Sequence, residues 1–78
     1  MEFPKVLLLS FSGLGSQNAT GQLIATLFHN WPRDRLLQIY WGHRPEPNIR
    51  GLDAAKVVKH EILRTIKAYQ PEVIYLRP

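Results

Sequence analysis

The chain has 78 residues, 45% of them hydrophobic, with ten Lys and Arg against six Asp and Glu and a formal net charge of +4. This length bounds it to one small domain at most, and a domain of that size buries only roughly 60–65% of the surface its unfolded form exposes. Cysteine is absent, which excludes a disulfide framework, a thiolate zinc site and a cysteine nucleophile. The positive charge permits contact with phosphates or an anionic membrane surface without selecting either. The apolar run after Met1 to Lys5 falls short of the ~7 residues of a signal-peptide core and of the ~20 of a membrane span. A soluble, unexported, cytoplasmic chain is the expectation.

Taken in order, Val6-Leu7-Leu8-Leu9 is apolar without alternation, the pattern of a strand covered on both faces, and it predicts a first strand over 5–12. The stretch from Gly13 to Gly21 then sets glycines among Ser16, Asn18 and Thr20, residues able to turn the chain and cap a helix. Leu23, Ile24, Leu27, Phe28 and Trp31 recur at the helical period, predicting a helix over 20–30 that Pro32 stops. A second strand is predicted over 35–41, rich in aliphatic and aromatic residues. Residues 42–51, with two prolines and two glycines, read as a surface loop. Asp53 is a plausible N-cap for a second amphipathic helix carrying Ala55, Val58, Ile62, Ile66 and Tyr69 on one face, and Pro71 lies just beyond it. Residues 72–77 read as a third strand.

The result is a β-α-β-α-β order, half of a doubly wound α/β sheet. Two helices cover both faces of such a sheet poorly and leave an edge strand unpaired, so residues 1–78 read as one partial domain that further chain or another chain completes.

Ligands of open α/β sheets bind at the carboxyl ends of strands, where a helix N-terminus attracts anions, so the turn after the first strand is the leading candidate site. The dinucleotide fingerprint is not met, because Asn18 stands where a third glycine belongs and the second strand ends without an acid. A phosphate loop of the Walker type is excluded, since no Gly-Lys-Ser/Thr opens the helix. His29, His43 and His60 lack convergent partners and read as surface residues rather than metal ligands, and no metal is expected. Lys56, His60, Arg64 and Lys67 form a basic flank on the second helix. It reads as a solvated face before it reads as a peripheral membrane contact, and without interleaved aromatics it gives nucleic acid little support. No catalytic constellation assembles from the carboxylates or from a Ser-His-Asp set, and catalytic residues stay unassigned.

Lys5-Val-Leu-Leu-Leu-Ser, the glycine-bearing turn ending Ala19-Thr20-Gly21, the helix closing in Leu27-Phe28-His29-Asn30-Trp31-Pro32 and the final Gln70-Pro71-Glu72-Val73-Ile74-Tyr75-Leu76-Arg77-Pro78 together resemble the N-terminus of GT-B-fold glycosyltransferases, especially the retaining family-four type. The resemblance implies the start of an acceptor-side Rossmann-like domain, with three parallel strands in the order 2-1-3 and two main helices. It implies that Gly13, Gly15, Ser16 and Asn18 line a cleft near the phosphates of a nucleotide-sugar donor, that Thr20 and Gly21 open the helix behind it, and that Arg77 lies near the turn. The family's donor-binding Arg, Lys and Glu residues have no counterpart here, so this piece is not expected to be active alone, and no cofactor beyond the donor substrate is implied. Gly15→Val is expected to impair transfer with little loss of folding. The alternative is a non-enzymatic flavodoxin-like or receiver-like regulatory module. Against the receiver form, the predicted strands end in Ser12, Trp41 and Arg77 rather than in an acid cluster.

Overall fold

A computed structural model describes residues 3–77. Its elements in order are β1 (Val6–Ser12), α1 (Ala19–Leu27), a 3-10 turn (Arg33–Arg35), β2 (Leu36–His43), β3 (Arg50–Asp53), α2 (Lys59–Tyr69) and β4 (Val73–Arg77). All pairings are parallel, and the four strands lie in the order β3-β2-β1-β4. The expected three-stranded sheet of order 2-1-3 is therefore corrected. The relation among β2, β1 and β4 stands, and an additional edge strand lies outside β2.

The unpredicted strand comes from the stretch read as a loop and a helix start. Arg50 to Asp53 pair with Leu37 to Tyr40, and the Ala54 N–H donates to the Tyr40 carbonyl at 2.7 Å. Asp53 caps no helix: its Oδ1 accepts from the Ala55 N–H at 3.0 Å in a local turn. With those groups committed to the sheet and turn, and with β-branched Val57 and Val58 next, the helix is delayed to Lys59. At its other end Gln70 takes a left-handed conformation, φ 54°, and its N–H returns to the Ile66 carbonyl, before Pro71 ends the element.

Helix α1 also ends earlier than its periodicity suggests, with Phe28 to Asn30 forming a turn. Ile24 and Phe28 are buried, whereas Leu23 and Leu27 of the expected face are exposed. The Trp31 indole N–H donates to the Pro4 carbonyl at 3.0 Å, and its ring meets Phe28 edge-on. These contacts turn the chain inward toward the amino end of β1.

Alternation along the strands divides the core in two. Val6, Leu8 and Leu36 face α1 together with Leu14, Ile24, Phe28 and Ile49. Leu7, Leu37 and Ile39 face α2 through Tyr69, with Leu9, Leu52, Ile62 and Ile66 packed alongside. Between β2 and β3 no helix intervenes. Residues 44–49 run back along the sheet, and Ile49 joins the α1-side cluster. A parallel connection usually takes a dozen or more residues, so this return is short. It lies on the same face as α1 and continues in the same direction, while α2 reverses direction on the opposite face. The three crossovers consequently share one hand.

Tyr69 fastens α2 to the centre of the sheet. Its hydroxyl donates to the Val6 carbonyl at 3.0 Å, and burial, the leading cause, raises its pKa above the ordinary tyrosine value of 10.0. Ionising it in the folded state therefore takes a higher pH than in the unfolded chain, so this group's contribution is intact below pH ~10 and is lost as pH rises further. Tyr69→Phe is expected to lower stability at neutral pH by about 0.5–1.5 kcal/mol. The variant should also show a weaker alkaline loss than the wild type when urea melts are compared at pH 8 and above pH 10.

Candidate functional site

The candidate site lies at the carboxyl edge of the sheet, where β1 leads into α1. Asn18, in extended backbone, is the N-cap, and its side-chain oxygen accepts from the Gly21 N–H at 2.8 Å. Its amide nitrogen reaches Ser16 Oγ at 3.2 Å and His43 Nδ1 at 3.2 Å. His43 Nδ1 also lies 3.3 Å from Ser12 Oγ. Since the Asn18 nitrogen only donates, His43 Nδ1 accepts, which places the ring proton of the neutral tautomer on Nε2. Ser12, Ser16, Asn18 and His43 thus form one polar cluster around the start of α1.

His43 arrives there through a bulge. Ser10 pairs with Tyr40 but Ser12 pairs with His43, so β2 carries the extra residue, and its strand extends beyond the Trp41 end expected from sequence. Gly42 at the bulge lies against the Phe11 ring, which a Cβ there would strike.

The glycine turn is held mostly by its own backbone. The Gly13 N–H donates to the His43 carbonyl at 2.7 Å, the Gly15 N–H to the Gly21 carbonyl at 2.9 Å and the Ser16 N–H to the Gly13 carbonyl at 3.1 Å. The Leu14 N–H donates to the side-chain oxygen of Gln38 at 3.1 Å. Gln38 is fully buried, and its nitrogen donates to the Ile39 carbonyl at 3.2 Å and the Leu8 carbonyl at 3.4 Å. Four consecutive amides of the turn are committed to the protein. By contrast, the amides of Ala19 and Thr20, in the first turn of α1, have no protein acceptor among the described residues.

The crossover closes over the same turn. The Glu46 N–H donates to the Leu14 carbonyl at 2.9 Å, and a Cβ at Gly13 would collide with the Pro45 backbone. Gly15 has φ +81°, and a Cβ there would lie 2.6 Å from a Glu46 carboxylate oxygen. The other oxygen of that carboxylate pairs with Arg33 at 2.9 Å. Both side chains are about one-third exposed, so solvent screening leaves this pair worth under ~1 kcal/mol. A carboxylate occupying the space beside Gly15 disfavours an anion at that point. The anion-attracting part of the edge is the start of α1, from Asn18 to Thr20.

Of the residues selected from sequence, Gly13, Gly15, Ser16, Asn18, Thr20 and Gly21 fall in this one turn and helix start. Gly13, Ser16 and Gly21 are buried within it, Gly21 against Ser16, while Asn18 and Thr20 remain partly accessible. Arg77 pairs in register with Ser10, on the opposite side of β1 from β2, and is exposed. A cavity of about 390 Å³ walled by Tyr40, Arg44, Pro45, Glu46, Ile49 and Gly51 belongs to the crossover and the β3 edge rather than to the start of α1. Sequence reading missed Gln38, His43 and Glu46. Gln38 carried a signal, a lone amide inside the apolar run Leu36 to Trp41, whereas the other two reach the site through the bulge and the crossover.

Comparison with known proteins gives no match to any family model, curated protein or solved structure. No helix among the described residues is long and apolar enough to cross a membrane.

Two consequences are measurable. Gln38→Ala leaves the buried Leu14 N–H without an acceptor and is expected to lower stability by about 1–3 kcal/mol, with Leu14 amide exchange accelerated by at least the factor the global loss predicts. Gly15→Val combines a left-handed backbone with the Glu46 contact. Its expected loss is at least the ~1–2 kcal/mol of the backbone conformation alone, read from denaturant midpoints, so the substitution is not the fold-neutral probe the sequence suggested.

Proposed function

We propose that the chain is the first part of an acceptor-side Rossmann-like domain of a GT-B glycosyltransferase, an enzyme that moves a sugar from a nucleotide-sugar donor to an acceptor. The observation that carries this reading is the switch point at the carboxyl ends of the adjacent strands β1 and β4. There the strand order changes direction, the start of α1 presents the Ala19 and Thr20 amides, and Arg77 ends the neighbouring strand. Open α/β sheets take ligands at such a switch point, and a diphosphate is the chemistry a helix start and a guanidinium attract. In this reading the chain's own contribution is electrostatic: Asn18 fixes the helix start, and Arg77 with the free amides offsets negative charge building on the departing nucleoside diphosphate. The polar cluster of Ser12, Ser16 and His43 sets the wall beside it.

The remaining donor contacts and the catalytic groups are assigned to a second domain. Strand β4 has an open edge, and Ile74 and Leu76 are 61% and 65% exposed. We assign the completion of this side to further chain or to another chain. The reading carries with it a cytoplasmic location, and the exposed basic residues His60, Arg64 and Lys67 of α2 leave a peripheral membrane contact compatible with it.

The test is binding of nucleotide sugars to the intact protein by calorimetry. Arg77→Gln is expected to weaken the donor about tenfold or more, the effect of losing one charge-assisted hydrogen bond of ~1.5–3 kcal/mol, with the melting temperature nearly unchanged. Asn18→Ala should weaken it too, at a loss of helix stability of about 1 kcal/mol. Donor affinity unchanged in Arg77→Gln, or no affinity for any nucleotide sugar, would overturn the assignment.

A further inference from the structure

A cavity of about 390 Å³, a size within the range of small-molecule sites, lies between the sheet and the return from β2 to β3. Tyr40 of β2 and Gly51 of β3 contribute its sheet side, and Arg44, Pro45, Pro47 and Ile49 of the return contribute the other walls. Gly51 keeps this space open: a Cβ there would come within 3.1 Å of Pro45 Cγ and 3.3 Å of the Tyr40 ring. None of the residues proposed to hold a donor lines the cavity.

Its polar residues divide into engaged and free. Glu46 is engaged: one carboxylate oxygen pairs with Arg33 at 2.9 Å, and the other lies toward Gly15. Tyr40 is only 7% exposed yet belongs to neither core cluster, and its ring lies by Gly51 and Pro45 instead. Its hydroxyl makes no hydrogen bond among the described residues. Nor is that hydroxyl sealed in, since Arg33 Nη1 is the one enclosed side-chain atom without a partner among those residues. The Tyr40 hydroxyl is therefore a donor open to the cavity. Arg44 is exposed and makes no ion pair among the described residues, so its guanidinium is the unengaged charge at this cavity.

We infer that the cavity bounded by Tyr40, Arg44, Pro45 and Ile49 is a binding site for a small organic carboxylate, with its charged group on Arg44 and the Tyr40 hydroxyl and its apolar body against Pro45, Pro47 and Ile49. Both free groups donate, so the ligand supplies the acceptors. A planar guanidinium takes a carboxylate through two parallel hydrogen bonds. One cation also balances a monoanion, whereas it leaves half the charge of a phosphate dianion uncompensated. An uncharged ligand with the same body forgoes the charge-assisted bonds altogether. The site lies apart from the start of α1 and stands whether or not the proposed activity holds.

The experiment is an amide-resolved NMR titration of the intact protein with sodium benzoate at constant ionic strength, set against benzamide and inorganic phosphate. Saturable benzoate shifts are expected at Tyr40, Arg44, Glu46, Ile49 and Gly51, with both comparison compounds about tenfold weaker or more. Arg44→Gln should weaken benzoate about tenfold or more, and Lys59→Gln on the exposed start of α2 should leave it unchanged. Tyr40→Phe should weaken it about threefold or more with the melting temperature unchanged, because the hydroxyl has no partner in the fold. Linear, unsaturating shifts, benzamide or phosphate binding as tightly as benzoate, or equal affinity in Arg44→Gln and Lys59→Gln would overturn the site. So would a lowered melting temperature in Tyr40→Phe, which would show the hydroxyl already engaged within the protein.

Discussion

The buried side-chain amide of Gln38 is the interaction on which the arrangement of the carboxyl edge depends. It lies in the middle of β2, takes the Leu14 N–H on its oxygen, and gives its nitrogen to carbonyls of Leu8 and Ile39. One side chain therefore joins the central strand, its neighbour and the turn that follows the central strand. A polar group in such a place is unfavourable unless its hydrogen bonds are made. A turn that carried the Leu14 N–H elsewhere would leave the buried amide oxygen without this donor, which favours the position observed.

Above that anchor, the short return from β2 to β3 gives the turn its second wall. A helix in this connection would stand farther from the sheet than an extended segment does. Without one, Pro45 and Glu46 lie directly on Gly13 and Gly15, and the Leu14 carbonyl receives the Glu46 N–H. The glycines are thus close-packing residues. Their lack of side chains admits another part of the protein where a phosphate loop would admit its ligand. The same closure directs the accessible polarity of the edge to Asn18, Thr20 and His43.

Much of the fold was legible because its signals are local. The unbroken apolar run of β1, the helical spacing of Ile24 and Phe28, and Pro32 and Pro71 as stops placed two helices and three strands close to where they occur. Strand β3 was not legible, since Arg50-Gly51-Leu52-Asp53 has neither alternation nor β-branched residues and becomes a strand through pairing with Leu37 to Tyr40. The exposed sides of Leu23, Leu27 and Val58 escaped sequence reading for a related reason: hydrophobicity fixes a helix's apolar residues but not how much of them the sheet covers. At the site, the capping preference of Asn18 was local and readable. The commitment of the Gly13, Leu14, Gly15 and Ser16 amides was not, because two of their acceptors, Gln38 and His43, lie more than twenty residues away.

The all-parallel sheet also sets the order in which this chain can assemble. Val6 pairs with Leu36 on one side and with Val73 on the other, so the second contact closes a loop more than twice as long as the first. Loop-closure entropy rises with length only slowly, but every strand contact here is non-local, and such topologies fold slowly for their size. During synthesis β1, α1 and β2 can associate while α2 is still being made. The flank of β1 later taken by β4 meanwhile exposes unpaired backbone groups, and the face later covered by α2 exposes the apolar side chains of Leu7 and Leu9. The central strand of the finished protein is, in its nascent form, an edge strand and the segment most open to misassociation.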